Sequence, residues 1–89
     1  MIANVKAWLA AGAQVVDVSS EDEFRDGAYP GALHIPLHEL AVRMGEIPRG
    51  RKVVLYCASG VRSATAARLL KQAGYAEVVN AGGLGDMPV

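Results

Sequence analysis

Short runs of β-branched and apolar residues alternate with segments of helical periodicity along this chain of 89 residues. The clearest run, KVVLY at residues 52–56, is almost entirely apolar, which is typical of a central strand covered on both faces. Further strands are predicted at residues 14–18, 32–35 and 77–80, with helices between them. This alternation indicates an α/β domain with a mostly parallel sheet of about four strands flanked by helices.

Capping residues and glycines mark the ends of the shorter helices. The first predicted helix stops at Gly12 and carries apolar residues at helical spacing, namely Ile2, Val5 and Leu9. Ser20, with Glu23 three residues later, forms a capping box that opens a helix running to about residue 26.

Two longer helices are predicted in the middle of the chain. One begins at Pro36, because proline suits the first helical position, and its buried stripe comprises Leu37, Leu40, Met44 and Ile47. The other covers residues 62–73 and ends at Gly74. Its sheet-facing residues are predicted to be Ala66, Leu69, Leu70 and Ala73. The last nine residues, which are rich in glycine, are predicted as a loop.

Composition excludes several classes of protein. An apolar fraction of 52% with zero net charge argues against a disordered chain and against general electrostatic binding to nucleic acid or membrane. One cysteine excludes an internal disulfide and a thiolate metal cluster. The length predicts a single domain over residues 1–89. With Met1 as the start and no apolar export segment after it, the protein is expected to be cytoplasmic, with its thiol reduced.

The zero net charge is the sum of two opposite stretches. Residues 17–26 hold five acids against one base, and residues 43–71 hold seven bases against one acid. The second stretch includes the segment around the single cysteine, so a modestly positive region is expected there.

The segment that follows the central strand carries the pattern of a nucleophilic site. Cys57 is expected just beyond the strand end, and its loop leads into the N-terminus of the helix at residues 62–73, where free N–H groups favour a thiolate. A lone cysteine is more often a small buried residue, but this combination of strand, cysteine, glycine-containing loop and helix favours catalysis by Cys57. The predicted substrate-binding and sulfur-stabilising loop consists of Ala58, Ser59, Gly60, Val61, Arg62 and Ser63.

Four segments in this order resemble the motifs of the rhodanese domain family of sulfurtransferases. They are VVDV with EF at residues 15–24, YPGA with HIPL at residues 29–37, VLYC with the loop at residues 54–63, and NAGG at residues 80–83. The short chain and its ending are most similar to small members of the phage-shock-protein-E type. The resemblance implies a rhodanese-like three-layer sandwich.

The resemblance also implies a reaction. Cys57 would take the outer sulfur of thiosulfate or a similar small anionic donor, forming a persulfide, and a thiol or protein acceptor would then remove it. No metal or organic cofactor is implied. The alternative is a non-enzymatic persulfide carrier or a regulatory binding module. A phosphatase is disfavoured, because the related phosphatases carry one more residue between the cysteine and the arginine than the four found here.

Several positions depart from the family pattern. Ala58 and Ser59 stand where many members carry basic residues, so Arg62 is the only charge on the loop. Ser19 replaces an arginine, which leaves Asp17 or Glu23 in need of other hydrogen-bond donors. His34 and His38 are expected to be structural or surface residues, and the glycines at residues 82–85 are expected to let the backbone approach the site closely.

Overall fold

The structure, a computed structural model, describes residues 4–88 and contains one sheet of four parallel strands. The strands are β1 (Gln14–Asp17), β2 (Leu33–His34), β3 (Val53–Cys57) and β4 (Val78–Gly83). Their order across the sheet is β2-β1-β3-β4. The predicted α/β architecture with about four parallel strands is therefore confirmed.

Within residues 4–88, four helices and three short 3-10 turns connect and cover the strands. The helices are α1 (Val5–Ala10), α2 (Glu21–Asp26), α3 (Leu40–Arg43) and α4 (Val61–Gln72). The 3-10 turns are Leu37–Glu39, Met44–Glu46 and Leu84–Asp86. Ile2, placed in the first helix by the sequence pattern, lies outside the described residues. No helix among residues 4–88 has the length and apolar character needed to cross a membrane.

The central strand β3 is buried along its whole length and belongs to two hydrophobic layers. Side chains alternate between the faces of a strand, so Leu55 and Cys57 join one layer and Val54 and Tyr56 the other. The first layer contains residues of α3 and α4, and the second is packed against residues of α1 and of the C-terminal segment. This is the predicted three-layer sandwich.

The prediction of one continuous helix from Pro36 is wrong. The segment consists of a 3-10 turn, the single turn of α3 and a second 3-10 turn. The hydroxyl of Tyr75 lies 2.9 Å from the carbonyl oxygen of Met44 and 2.7 Å from that of Ile47 at the end of this segment. It supplies a donor there, since Pro48 has no N–H to offer the Met44 carbonyl. Leu40 and Ile47 nevertheless reach the core as predicted.

Helix α4 is rotated slightly from the predicted orientation. Ala67 is buried, whereas Leu69 is 38% exposed, so the prediction that Leu69 faces the sheet is wrong. The buried residues are Ser63, Ala66, Ala67 and Leu70, a stripe at i, i+3, i+4 and i+7. The predicted stop at Gly74 is confirmed, since Gly74 has a φ of +101°. The N–H of Tyr75 also bonds to the carbonyl of Leu70, as in a Schellman motif.

The C-terminal glycine-rich segment is more ordered than predicted. Strand β4 continues to Gly83, and a 3-10 turn follows it, so the prediction of a loop over the last nine residues is wrong. Leu55 pairs with Asn80, but Tyr56 pairs with Gly82, which leaves Ala81 as a bulge. The bulge changes the register of β4 beside the end of β3.

Candidate functional site

The candidate site lies where the strand order reverses. The chain leaves β1 toward β2 on one side and leaves β3 toward β4 on the other, so a crevice opens beyond the ends of β1 and β3. Asp17 and Tyr56 are register partners at these ends, and Cys57 follows as the last residue of β3. The crevice is a pocket of about 270 Å³, lined by Asp17, Ser19, Glu23, Asp26, Gly27, Tyr56, Cys57, Ala58 and Leu84.

The sulfur of Cys57 is surrounded by hydrogen-bond donors. The N–H of Gly60 donates to Sγ at 3.0 Å, and the hydroxyl oxygen of Ser63 lies 3.5 Å from Sγ. Burial raises the pKa of the Cys57 thiol, but the Ser63 hydroxyl and the N–H groups of Ser63, Gly60 and Ser59 more than offset it. The net effect lowers the pKa of Cys57 and favours the nucleophilic thiolate.

Asn80 connects the loop to strand β4. Its Oδ1 accepts from the Ser63 hydroxyl at 2.6 Å and from the Gly82 N–H at 2.9 Å, and its Nδ2 donates to the Gly60 carbonyl at 3.2 Å. Asn80 opens the NAGG motif, but no role was predicted for it. The structure shows that it joins three backbone segments around the sulfur.

Two glycines allow the loop and β4 to meet. Gly60 has a φ of +95°, and a Cβ at this position would lie 3.0 Å from the Cα of Gly82. A Cβ at Gly83 would lie 2.5 Å from the carbonyl oxygen of Ala58. The predicted close approach of the glycine-rich segment to the site is thus confirmed.

Arg62 is engaged by an acid rather than free to bind an anion. Its two terminal nitrogens bind the two carboxylate oxygens of Glu23 at 2.7 and 2.9 Å. Together with hydrogen bonds from Ser20, this pair lowers the pKa of Glu23 to about 2. Glu23 in turn raises the pKa of Arg62. The only charge on the loop is therefore paired with Glu23.

Asp17 is almost completely buried and is held by neutral donors. One of its carboxylate oxygens accepts from the N–H of Ser19 at 2.8 Å and from the Ser19 hydroxyl. Ser19 thus supplies the donors that the replaced arginine would have provided. Burial raises the pKa of Tyr56, and the nearby Asp17 carboxylate raises it further.

The remaining predicted residues lie at the rim or outside it. Ala58 and Ser59 are exposed, and Val61 is 71% exposed on the first turn of α4. His34 has a structural position, as expected, because its Nε2 lies 2.8 Å from the Ser19 carbonyl oxygen and its ring stacks on Phe24.

The charge around the pocket differs from the sequence expectation. Three carboxylates line the pocket and no basic side chain does, so the expected positive region is not found there. Positive potential at the sulfur comes from backbone N–H groups, from the N-terminus of α4 and from the Arg62 guanidinium, whose pKa is raised chiefly by Glu23 and also by Cys57. Within residues 4–88, no group of three His, Cys, Asp or Glu side chains is placed to hold a metal ion.

Relatives of this chain include sulfurtransferases. Over 66 residues it is 46% identical to a sulfurtransferase of Allochromatium vinosum, a match that covers 74% of this chain and 62% of the relative. It is 35% identical over 74 residues to the thiosulfate sulfurtransferase PspE of Escherichia coli, covering 81% of this chain and 71% of PspE. The chain therefore spans somewhat under two thirds of the first relative and somewhat more of the second.

A solved structure described as rhodanese with anions from E. coli superposes with a TM-score of 0.82 at 31% identity. This superposition covers 88% of the present chain and 94% of the solved one. The family model for the rhodanese-like domain matches residues 1–85. With the parallel sheet and the cysteine loop beside it, these matches show that the chain belongs to the rhodanese-like domain family.

Proposed function

We propose that this protein is a sulfurtransferase that moves sulfane sulfur from thiosulfate or a similar donor to a thiophilic acceptor through a persulfide on Cys57. The observation that carries the proposal is the position of the Cys57 sulfur. It lies at the wall of an open pocket, beside the Gly60 N–H and the Ser63 hydroxyl, and its pKa is lowered. The sulfur is buried, but it lines the pocket, and the donors beside it favour the thiolate, which is the form that attacks a sulfur donor.

The first half-reaction breaks the S–S bond of the donor. The Cys57 thiolate attacks the outer sulfur, a new S–S bond forms on Cys57, and the rest of the donor leaves with the electron pair. With thiosulfate the leaving group is sulfite. The enzyme then carries a persulfide whose terminal sulfur is anionic.

The second half-reaction returns the enzyme to its starting state. An acceptor thiolate attacks the terminal sulfur, the S–S bond to Cys57 breaks, and the Cys57 thiolate is released. The preorganised N–H groups of the loop and of the α4 N-terminus stabilise the negative sulfur in both states. The two steps exchange S–S bonds through the thiolate, so neither a metal nor an organic cofactor enters the proposed reaction.

A persulfide carrier is the second candidate. The observation that favours it is the lining of three carboxylates, since an acidic pocket is poorly suited to rapid turnover of a dianion such as thiosulfate. In that case Cys57 would accept and deliver sulfur once per encounter with a partner, without sustained turnover of a small donor.

Intact-mass measurement tests the proposal. After incubation with thiosulfate, the wild type should gain the mass of one sulfur atom, which a reductant removes, and Cys57→Ser should gain none. Steady turnover with thiosulfate and cyanide would support the enzyme, and a stable single addition without turnover would support the carrier. If no sulfur adds and Cys57 resists alkylation, Cys57 is only a buried structural residue.

A further inference from the structure

The pocket beside Cys57 has an unusual distribution of charge for a site that is expected to receive an anion. Its charged lining residues are all acids, namely Asp17, Glu23 and Asp26. The other lining residues are neutral and include Ser19, Gly27 and Leu84. A donor that places its sulfur against Cys57 must therefore hold its remaining atoms among carboxylates.

The basic residue closest to the site does not balance these acids. Arg62 binds Glu23 through both terminal nitrogens, so the charges of this pair cancel within the pair. Asp17 accepts from the neutral groups of Ser19 and is in hydrogen-bond contact with the neutral hydroxyl of Tyr56, and the part of the chain that the structure describes shows no ion pair for Asp26. Two carboxylates thus remain without a cationic partner in residues 4–88.

The site therefore separates two zones. The sulfur atoms lie in the first zone, where the N–H of Gly60 and the N-terminus of α4 favour negative charge. The body of the donor lies in the second zone, which Asp17 and Asp26 make negative. The volume of about 270 Å³ suits a donor smaller than a drug-sized ligand.

We infer that the carboxylates of this pocket select among sulfur donors by charge: a small alkyl persulfide with an ammonium group near its sulfur reacts faster than thiosulfate, which remains a slower donor. This inference rests on the proposed function. The Cys57 thiolate attacks the terminal sulfur of the donor R–S–SH, the S–S bond breaks, and RS⁻ leaves with the electron pair. The products are Cys57–S–SH and a thiolate, so atoms and charge balance without an oxidant or a reductant.

Donors of matched length provide the test. The rates of Cys57 persulfide formation are measured by quenched-flow mass spectrometry with 2-aminoethyl, 2-hydroxyethyl and 2-sulfonatoethyl persulfides and with thiosulfate. The rate constant should fall in that order, at least tenfold from the ammonium donor to thiosulfate, and added salt should reduce the difference. An anionic donor that reacts as fast as the ammonium donor would overturn the inference.

Two charge-matched variants locate the effect. Asp26→Asn removes a pocket carboxylate, whereas Glu21→Gln removes an acid from the same helix outside the pocket lining. Asp26→Asn should lower the ratio of ammonium to sulfonate rates several-fold, and Glu21→Gln should leave this ratio close to that of the wild type. Equal changes in both variants would show a general surface field and contradict selection by the pocket.

Methanethiosulfonate reagents separate this inference from the proposed function. They modify any accessible thiolate and are available with ammonium or sulfonate groups. Absence of a persulfide with every donor would refute sulfur transfer itself. Persulfide formation without a charge preference, together with equal rates for the two reagents, would refute only the charge selection.

Discussion

The Ser63 hydroxyl donates to Oδ1 of Asn80 across a distance of 2.6 Å, although the Ser63 hydroxyl oxygen also lies 3.5 Å from the sulfur of Cys57. A hydroxyl has one proton, so Asn80 and the thiolate compete for it. The side chain of Asn80 thereby helps to set how much stabilisation Ser63 gives the thiolate. It also holds the carbonyl of Gly60, which keeps the loop N–H groups directed at the sulfur.

Removal of the Ser63 hydroxyl should raise the pKa of Cys57. In Ser63→Ala, the rate of alkylation by iodoacetamide should reach its plateau at a higher pH than in the wild type, because one donor to the thiolate is lost. Ser59→Ala is the matched control, since Ser59 is exposed and keeps its backbone N–H. If the dependence of the alkylation rate on pH is unchanged in Ser63→Ala, the backbone N–H groups are sufficient to activate the sulfur without the Ser63 hydroxyl.

The pair of Glu23 and Arg62 should make stability depend on pH in acid. The pKa of Glu23 is lowered from 4.5 to about 2, chiefly by Arg62, so the ionised carboxylate stabilises the folded state. This contribution is fully present above about 4.5 and is lost as the pH falls toward about 2. Glu23→Gln keeps a side chain that can complete the capping box with Ser20 but removes the charge.

Urea denaturation of the wild type and Glu23→Gln at several pH values measures this effect. The variant should be less stable at pH 7, and the difference should shrink through the acidic range. Glu21→Gln serves as the control, because Glu21 makes only an exposed contact of 3.8 Å with Arg25. A difference between wild type and Glu23→Gln that stays constant with pH would contradict the prediction.

A methyl group at Gly83 should push the loop away from β4. The new Cβ would stand 2.5 Å from the backbone oxygen of Ala58, which cannot move without the loop. Gly83→Ala should therefore cost about 1–3 kcal/mol of unfolding free energy and change the alkylation rate of Cys57. Gly85→Ala is the control, because nothing lies within 4 Å of its added Cβ. Similar stabilities for the two variants would argue against the close contact.

Truncation of the two leucines in α4 tests its orientation. Leu70 is fully buried, so Leu70→Ala should cost about 2–5 kcal/mol. Leu69 is 38% exposed, so Leu69→Ala should cost less than about 1 kcal/mol. Thermal and urea denaturation provide both values. A larger loss in Leu69→Ala would restore the orientation expected from the sequence pattern.

Local sequence signals predicted much of this fold. The apolar pattern located all four strands, the Ser20–Glu23 capping box opened α2 as expected, and Gly74 ended α4. These features depend on residues near one another in the chain, so a single sequence carries them. The rotation of α4 was missed because Leu69 and Ala67 both fit a helical stripe, and only packing against the sheet selects between them.

The side-chain contacts within the site could not be predicted in the same way. Arg62 and Glu23 are 39 residues apart, and Ser63 and Asn80 are 17 apart, so these contacts depend on the register of the sheet. The bulge at Ala81 changes that register; the adjacent Gly82, with a φ of +98°, is a local mark of it but does not specify which residues pair. The acidic lining likewise arises because α2 and the end of β1 are folded over the end of β3, whereas the linear charge pattern indicated a positive region.

Strand β3 belongs to two hydrophobic layers, and this limits which residues near the site can be substituted without moving the Cys57 sulfur. Cys57 continues a strand whose alternate residues belong to opposite cores, so a substitution in either core that shifts the strand also moves the sulfur. Positions at the rim, Ala58, Ser59 and Asp26, are exposed and carry little of the packing. Substitutions at the rim are therefore expected to cost little stability, whereas the position of the Cys57 sulfur remains tied to the integrity of the whole fold.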